Sequence, residues 1–154
     1  MIFHKSVAQD HIVYGSQLER DIFNSVFFGI LEDTVGFMLA SNHEINYALR
    51  DEFKKELSEF ILPYKLKLTE RSNKKLILKR LSRKIGDTYL KRYQKLSSVY
   101  QTISVGQYDC LTSTVLYAYF LEKLQMDYSI WETNYHIYIV VHLNEADLLI
   151  EPTD

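Results

Sequence analysis

The sequence has 154 residues, of which 47% are hydrophobic and 14% aromatic. This is enough apolar material for one sizeable core and about the length of one domain. No apolar run approaches the roughly 18 residues of a membrane span. One cysteine and scattered histidines exclude an intramolecular disulfide and a zinc-finger spacing. We therefore expect a single domain over residues 1–154, mostly helical over 1–103 and with a separate core over 104–154.

The N-terminal residues leave the compartment open. They lack the apolar region of a signal peptide, yet Ser6-Val7-Ala8 has the small-residue pattern of a cleavage site. The sequence therefore fits a cytoplasmic protein or an exported protein whose signal is missing from this chain.

The first 64 residues predict two helices. Apolar residues recur at three- and four-residue steps over about residues 17–39, which is typical of an amphipathic helix, although Gly29 and Gly36 weaken its second half. Ser41-Asn42-His43-Glu44 has the form of a capping box. It predicts a second helix from there to about residue 61, where Pro63 should stop it.

The formal net charge of −2 conceals a strongly basic segment over residues 65–95, which carries a net +10, while the remainder carries −12. An apolar helical stripe runs through it from Leu78 to Tyr100, and Gly86-Asp87 should divide that stripe into two helices, with Asp87 capping the second. The charge pattern leaves two possibilities open. The segment forms a surface that binds an anionic protein, lipid or nucleic acid, or it forms a face that is solvated or paired within the chain.

Cys110 stands where a loop gives way to a long apolar stretch, residues 111–124. A helix that is apolar on all sides is a buried central helix. Its N-terminus presents unpaired N–H groups and a partial positive charge, which favour a thiolate and stabilise an oxyanion. Cys110 is therefore a candidate nucleophile, and the alternative is a buried thiol that acts as a small hydrophobe.

After residue 124 the apolar period changes to two. Residues 128–133, 135–143 and 147–151 read as strands, with a turn at 144–146 between the last two. Helices followed by a small antiparallel sheet predict an α+β fold.

Two histidines, His136 and His142, fall on one face of the second predicted strand. Six residues separate them by about 20 Å, so they cannot share a metal ion. His136 stands at the start of the strand, at the rim of the sheet. It is the candidate base, because a thiol nucleophile needs an imidazole to take its proton and a third group to orient that imidazole.

The third group depends on the register of the last hairpin. A two-residue loop at 143–144 would put Glu151 directly opposite His136, with Cβ atoms about 5 Å apart. A four-residue loop at 144–147 would instead put Asp154 opposite Ile137, beside His136. Both carboxylates remain candidates, with Glu151 first.

Three motifs in this order resemble the transglutaminase-like superfamily. They are Gly-x-Tyr-Asp-Cys110-Leu-Thr-Ser-Thr-x-Leu-Tyr, Tyr-His136-Ile-Tyr and Leu-Ile-Glu151-Pro-Thr-Asp, and together they cover about residues 104–154. The resemblance implies a papain-like α+β fold with N-terminal helices, in which Cys110 is the nucleophile, His136 the base and Glu151 the acid. Glu replaces the more usual Asp, and His-Ile-Tyr replaces His-Ala-Trp, which leaves the substrate class open.

By analogy with short, bacterial-looking members, the resemblance favours a peptidase or amidase over a protein cross-linker. It implies a thioester intermediate, a peptide, amide or ester substrate, and no cofactor or metal. For the oxyanion, Gln101 and Gln107 have suitable side chains, and the backbone N–H of Cys110 is the better candidate donor. The rival hypothesis is a non-catalytic domain that uses residues 65–95 to bind an anionic partner. Because the chain stops just after the third motif, a C-terminal truncation is a further expectation.

Overall fold

The computed structural model describes residues 12–134, 136–144 and 146–152. The predictions for Ser6-Val7-Ala8 and for Asp154 fall outside these ranges. Within them the helices are α1 (Gln17–Phe27), α2 (Thr34–Leu39), α3 (Tyr47–Lys65), α4 (Lys74–Tyr89), α5 (Val99–Val105) and α6 (Cys110–Lys123). The strands are β1 (Arg92–Tyr93), β2 (Gln107–Tyr108), β3 (Tyr128–Glu132), β4 (Ile137–Val141) and β5 (Leu148–Ile150). The fold is α+β, as predicted.

Helix α6 is the buried centre of the molecule, which confirms the prediction from its apolar pattern. Leu116 and Phe120 are fully inaccessible to solvent. The ring centroid of Phe120 lies 5.0 Å from that of Phe60 on α3 and 6.3 Å from that of Tyr89 on α4. Aromatic side chains from two helices therefore hold α6 in place, each contributing on the order of 1 kcal/mol beyond area burial.

The single helix predicted over residues 17–39 is wrong, because the chain forms α1 and α2 with a loop between them. Gly29 has a φ of 74°, a left-handed conformation that ends a helix and that glycine adopts without strain. Asp33 then caps α2, its side chain accepting a hydrogen bond from the Gly36 N–H.

Helix α3 begins and ends later than predicted. Its N-cap is Asn46, whose side chain accepts from the Leu49 N–H, while the predicted cap region forms turns in which Asn42 accepts from the Glu44 N–H. Pro63 does not stop α3, which continues to Lys65. A proline in the last turn removes one N–H donor, and the helix here continues past it for only two residues.

Helix α4 runs through Gly86 and Asp87 without a break, so Asp87 caps nothing. The buried stripe on α4 continues to Tyr89 at helical spacing, and the packing energy of that stripe outweighs the cost of one glycine, about 1 kcal/mol. The break comes at Leu90, and Ser98 caps α5.

The last three strands form an antiparallel sheet in the order β3-β4-β5, at the predicted places but shorter. Both predicted registers of the last hairpin are wrong. Ile139 pairs with Ile150 and Val141 with Leu148, because the connection covers the six residues 142–147. Continued past β5, this register puts Glu151 opposite Tyr138, so that His136 lies diagonally from it on the same face.

The sheet packs on α6 through one face. Ile139, Val141 and Ile150 are buried on that face. Only residues 124–127 separate α6 from β3, so β3 runs back toward the N-terminal end of α6, and antiparallel β4 starts at that end. Among the described residues no helix is long and apolar enough to span a membrane.

Candidate functional site

Cys110 is the first residue of α6. The preceding residue, Asp109, caps the helix: its side chain accepts from the Thr112 N–H, while the Thr112 hydroxyl accepts from the Asp109 N–H. This reciprocal cap satisfies two backbone donors and fixes the direction of the first turn. The thiol of Cys110, which is half-buried, therefore stands on a rigid part of the backbone.

A short parallel pair, β1 with β2, brings Tyr93 to this thiol. Tyr93 pairs with Tyr108, their rings meet edge-on at 5.9 Å, and the Gln94 N–H donates to the Tyr108 carbonyl at 2.8 Å. The Tyr93 hydroxyl lies 3.9 Å from the Sγ of Cys110. Hydrogen bonding to Cys110 raises the pKa of Tyr93.

Tyr93 is absent from the residues that the sequence predicts for the site. Its position in the apolar stripe from Leu78 to Tyr100 suggested a core role, whereas it is 48% exposed. Two-residue strands carry no periodic signal, and α5 separates the two partners in the chain. No short-range pattern in the sequence could have found this contact.

His136 and Glu151 come together in the structure. The Nε2 of His136 lies 3.9 Å from a carboxylate oxygen of Glu151, and each side chain is about one-third exposed. The His136 backbone is held by Thr133, whose hydroxyl accepts from the His136 N–H and whose N–H donates to the His136 carbonyl. The register of β4 and β5 therefore places the imidazole and the carboxylate diagonally on one face, and the hydrogen-bonded turn before β4 holds the His136 backbone in position.

The short connection from α6 to β3 and the antiparallel order of β3 and β4 indicate that His136 lies toward the end of α6 that carries Cys110. No hydrogen bond joins the two side chains. The rings of His136 and Tyr138 are stacked, with their centroids 6.5 Å apart. Since residues alternate between the two faces of a strand and Ile139 faces α6, this stack lies on the opposite face of the sheet. Contact between thiol and imidazole requires the His136 side chain to turn around the end of β4.

The two candidate oxyanion donors have different surroundings. The side-chain oxygen of Gln101 accepts from the Ser98 N–H in the capping box of α5, so Gln101 has a structural role. Gln107 is in β2, paired with Arg92. The Cys110 N–H, in the first turn of α6, belongs to the backbone donors that lack an intrahelical partner.

The other histidine on β4's outer face, His142, has its own polar partners, which the sequence did not suggest. Its Nε2 lies 3.0 Å from the Ser129 hydroxyl and its Nδ1 lies 3.3 Å from a carboxylate oxygen of Asp147. The Trp131 indole N–H also donates to that hydroxyl. The chain Asp147–His142–Ser129 has the connectivity of a serine triad, but Ser129 lies within a ladder strand, where its backbone N–H supplies no oxyanion site.

Within residues 12–134, 136–144 and 146–152, no group of three or more His, Cys, Asp or Glu side chains is arranged to hold a metal ion. The comparisons with known proteins give no relative: no family model, no curated protein and no solved structure matches this chain.

Proposed function

We propose that this protein is a thiol-dependent acyl hydrolase or acyltransferase, with a papain-like site of the kind found in the transglutaminase-like superfamily. The observation that carries the proposal is the setting of Cys110. Its thiol stands at the start of a buried helix whose N-terminus has a reciprocal cap formed by Asp109 and Thr112. The Tyr93 hydroxyl lies within hydrogen-bonding distance of the sulfur. A phenol hydroxyl and backbone N–H groups without a partner in the helix can stabilise negative charge on the sulfur and on the oxygen of an acyl intermediate.

In the proposed reaction His136 takes the proton of the Cys110 thiol, and the sulfur attacks the carbonyl carbon of an amide or ester and forms a C–S bond. The carbonyl oxygen becomes an oxyanion, which accepts hydrogen bonds from the Cys110 N–H and the Tyr93 hydroxyl. Collapse of this intermediate breaks the C–N or C–O bond, and the leaving group takes a proton from His136. Water or an amine then gives a proton to His136 and attacks the thioester; the C–S bond breaks, the acyl product leaves, and the sulfur takes the proton back from His136.

His136 is the proposed base, with Glu151 as the group that orients it. The pair supports this role because a carboxylate beside an imidazole stabilises the imidazolium that forms when the thiol loses its proton. His136 precedes β4, so its side chain lies at the end of the strand, next to its partner Glu151. In the proposal, substrate binding brings the His136–Glu151 pair around the end of β4 toward Cys110.

The test compares alkylation of Cys110 by iodoacetamide at pH 6 in the wild type, His136→Ala and His142→Ala. The last variant is a matched control, since His142 also pairs with a carboxylate on the outer face of the sheet. We expect Cys110 to react faster than free cysteine, and His136→Ala to slow it about tenfold or more, while His142→Ala leaves the rate unchanged. Reaction at the rate of free cysteine in all three proteins would overturn the proposal.

A second measurement identifies the intermediate. Incubation with an activated ester such as p-nitrophenyl acetate should acetylate the wild type at Cys110, which mass spectrometry of a digest locates. The acetyl group should turn over in the wild type and persist in His136→Ala, because hydrolysis of a thioester also needs a base.

A further inference from the structure

The basic side chains of residues 65–95 are exposed and form no ion pair with the described residues. These twelve Lys and Arg side chains are all exposed. None of them forms an ion pair with another residue in the described part of the chain, whereas Arg50 of α3 pairs with Asp33 and Asp51. The sequence left open a face that is solvated or paired within the chain, and pairing with the described residues does not account for these charges.

Helix α4 arranges five of the cations on one half of its surface. With 3.6 residues per turn, the buried stripe formed by Leu78, Leu81, Ile85 and Tyr89 occupies one side. The opposite side carries the set that we call the cationic face, namely Lys75, Lys79, Arg80, Arg83 and Lys84. One carboxylate, Asp87, follows it.

The cationic face has a regular spacing. Lys75, Lys79 and Arg83 follow one another at four-residue intervals and form a row with steps of about 6 Å that spans about 12 Å. Arg80 and Lys84 form a second, shorter row beside it. Double-stranded nucleic acid carries one negative charge per roughly 3.4 Å along each strand, so one row faces three or four phosphates.

We infer that the cationic face of α4 binds the phosphate backbone of double-stranded nucleic acid without reading its sequence. An anionic membrane fits less well, because the apolar side of α4 is buried in the core and has no residues to insert into lipid. A single strand fits less well, because the aromatic residue at the end of α4, Tyr89, is 2% exposed and unavailable to stack on bases. This inference does not depend on the reactivity of Cys110.

The experiment measures binding of the full chain to a labelled random-sequence DNA duplex by fluorescence anisotropy over a range of salt concentrations. The test variant is Lys75→Gln/Lys79→Gln/Arg83→Gln. The control variant, Arg20→Gln/Lys54→Gln/Lys55→Gln, removes the same charge from exposed positions on α1 and α3. Circular dichroism and thermal melting should show that both variants fold as the wild type does.

For the wild type, the logarithm of the binding constant should fall linearly with the logarithm of the salt concentration. In the test variant this slope should be smaller by about 0.9 for each of the three cations removed from α4. Affinity at low salt should drop about tenfold or more in the test variant and stay within about twofold in the control. The inference is overturned if the wild type does not bind the duplex or if both variants lose affinity equally.

Discussion

The hydroxyl of Tyr93 lies 3.9 Å from the Sγ of Cys110, although 17 positions separate the two residues in the chain. The contact exists because Gly106, with a φ of 74°, turns the chain after α5 so that β2 runs parallel to β1. Lys91 and Arg92 both donate backbone hydrogen bonds to the Gly106 carbonyl. The segment that precedes the thiol is thus tied to the segment that carries its hydrogen-bond partner, Tyr93.

Replacing Tyr93 by phenylalanine should lower the reactivity of Cys110. The change removes the hydroxyl and keeps the ring that meets Tyr108, so stability should change little. Loss of a hydrogen bond to a charged sulfur should lower the alkylation rate at pH 6 about fivefold. Tyr108→Phe is the control, because Tyr108 contributes its ring to the same pair. Equal rates in both variants would remove Tyr93 from the site.

Glu151→Gln should reduce hydrolysis of an activated ester. Glutamine keeps the shape of the side chain but not the charge that stabilises an imidazolium on His136. We expect kcat/KM to fall about tenfold or more. Asp147→Asn is the matched change at His142 and should leave kcat/KM within about twofold of the wild type. If both substitutions leave kcat/KM unchanged, Glu151 does not orient the base.

Asp109→Ala should destabilise the whole domain, because α6 is its buried centre. Loss of an N-cap side chain costs about 1 kcal/mol in the free energy of unfolding, within a range of roughly 0.5–2. Asp109→Asn, which can still accept from the Thr112 N–H, should recover most of that loss. The measurement is the urea midpoint, with Asp87→Ala on α4 as the control for removing an acidic residue that caps no helix. An Asn variant as unstable as the Ala variant would contradict the capping role.

Tyr128 should make the free energy of unfolding depend on pH in the alkaline range. Burial, together with its hydrogen bond to Glu122 at 3.0 Å, raises the pKa of Tyr128 to about 12. A raised pKa means that the folded state holds the proton more tightly than the unfolded state, whose tyrosine pKa is about 10. The resulting stabilisation is complete below about pH 10 and is lost as pH rises toward 12.

The measurement for Tyr128 is the free energy of unfolding across that pH range in the wild type and in Tyr128→Phe. The variant should lose less stability than the wild type between pH 10 and 12, since it has no proton to release at this position. Tyr14→Phe is the control, and parallel curves for the wild type and Tyr128→Phe would contradict the prediction.

Much of the local structure follows from neighbouring residues. The start of α6 at Cys110 is predicted by an apolar stretch and a loop before it, and the β-strands by a period of two. The same reasoning fails at Gly86, where an unbroken buried stripe keeps α4 helical, and at Gly29, whose left-handed backbone ends α1. In both cases packing or backbone conformation outweighed the residue-level signal that the prediction used.

The sequence by itself determined that one thiol stands at the N-terminus of a buried helix, that a sheet follows, and that His136 and Glu151 share a face of it. These features depend on periodicities of a few residues, which the chain carries locally. Only the tertiary structure decided that Glu151 is diagonal to His136, that Tyr93 reaches Cys110, and that the cations of α4 form no ion pair with the described residues. The register of β4 and β5 depends on the length of the connection between them. The contact of Tyr93 with Cys110 depends on the pairing of β1 and β2, which α5 separates in the chain. No local pattern encodes either feature.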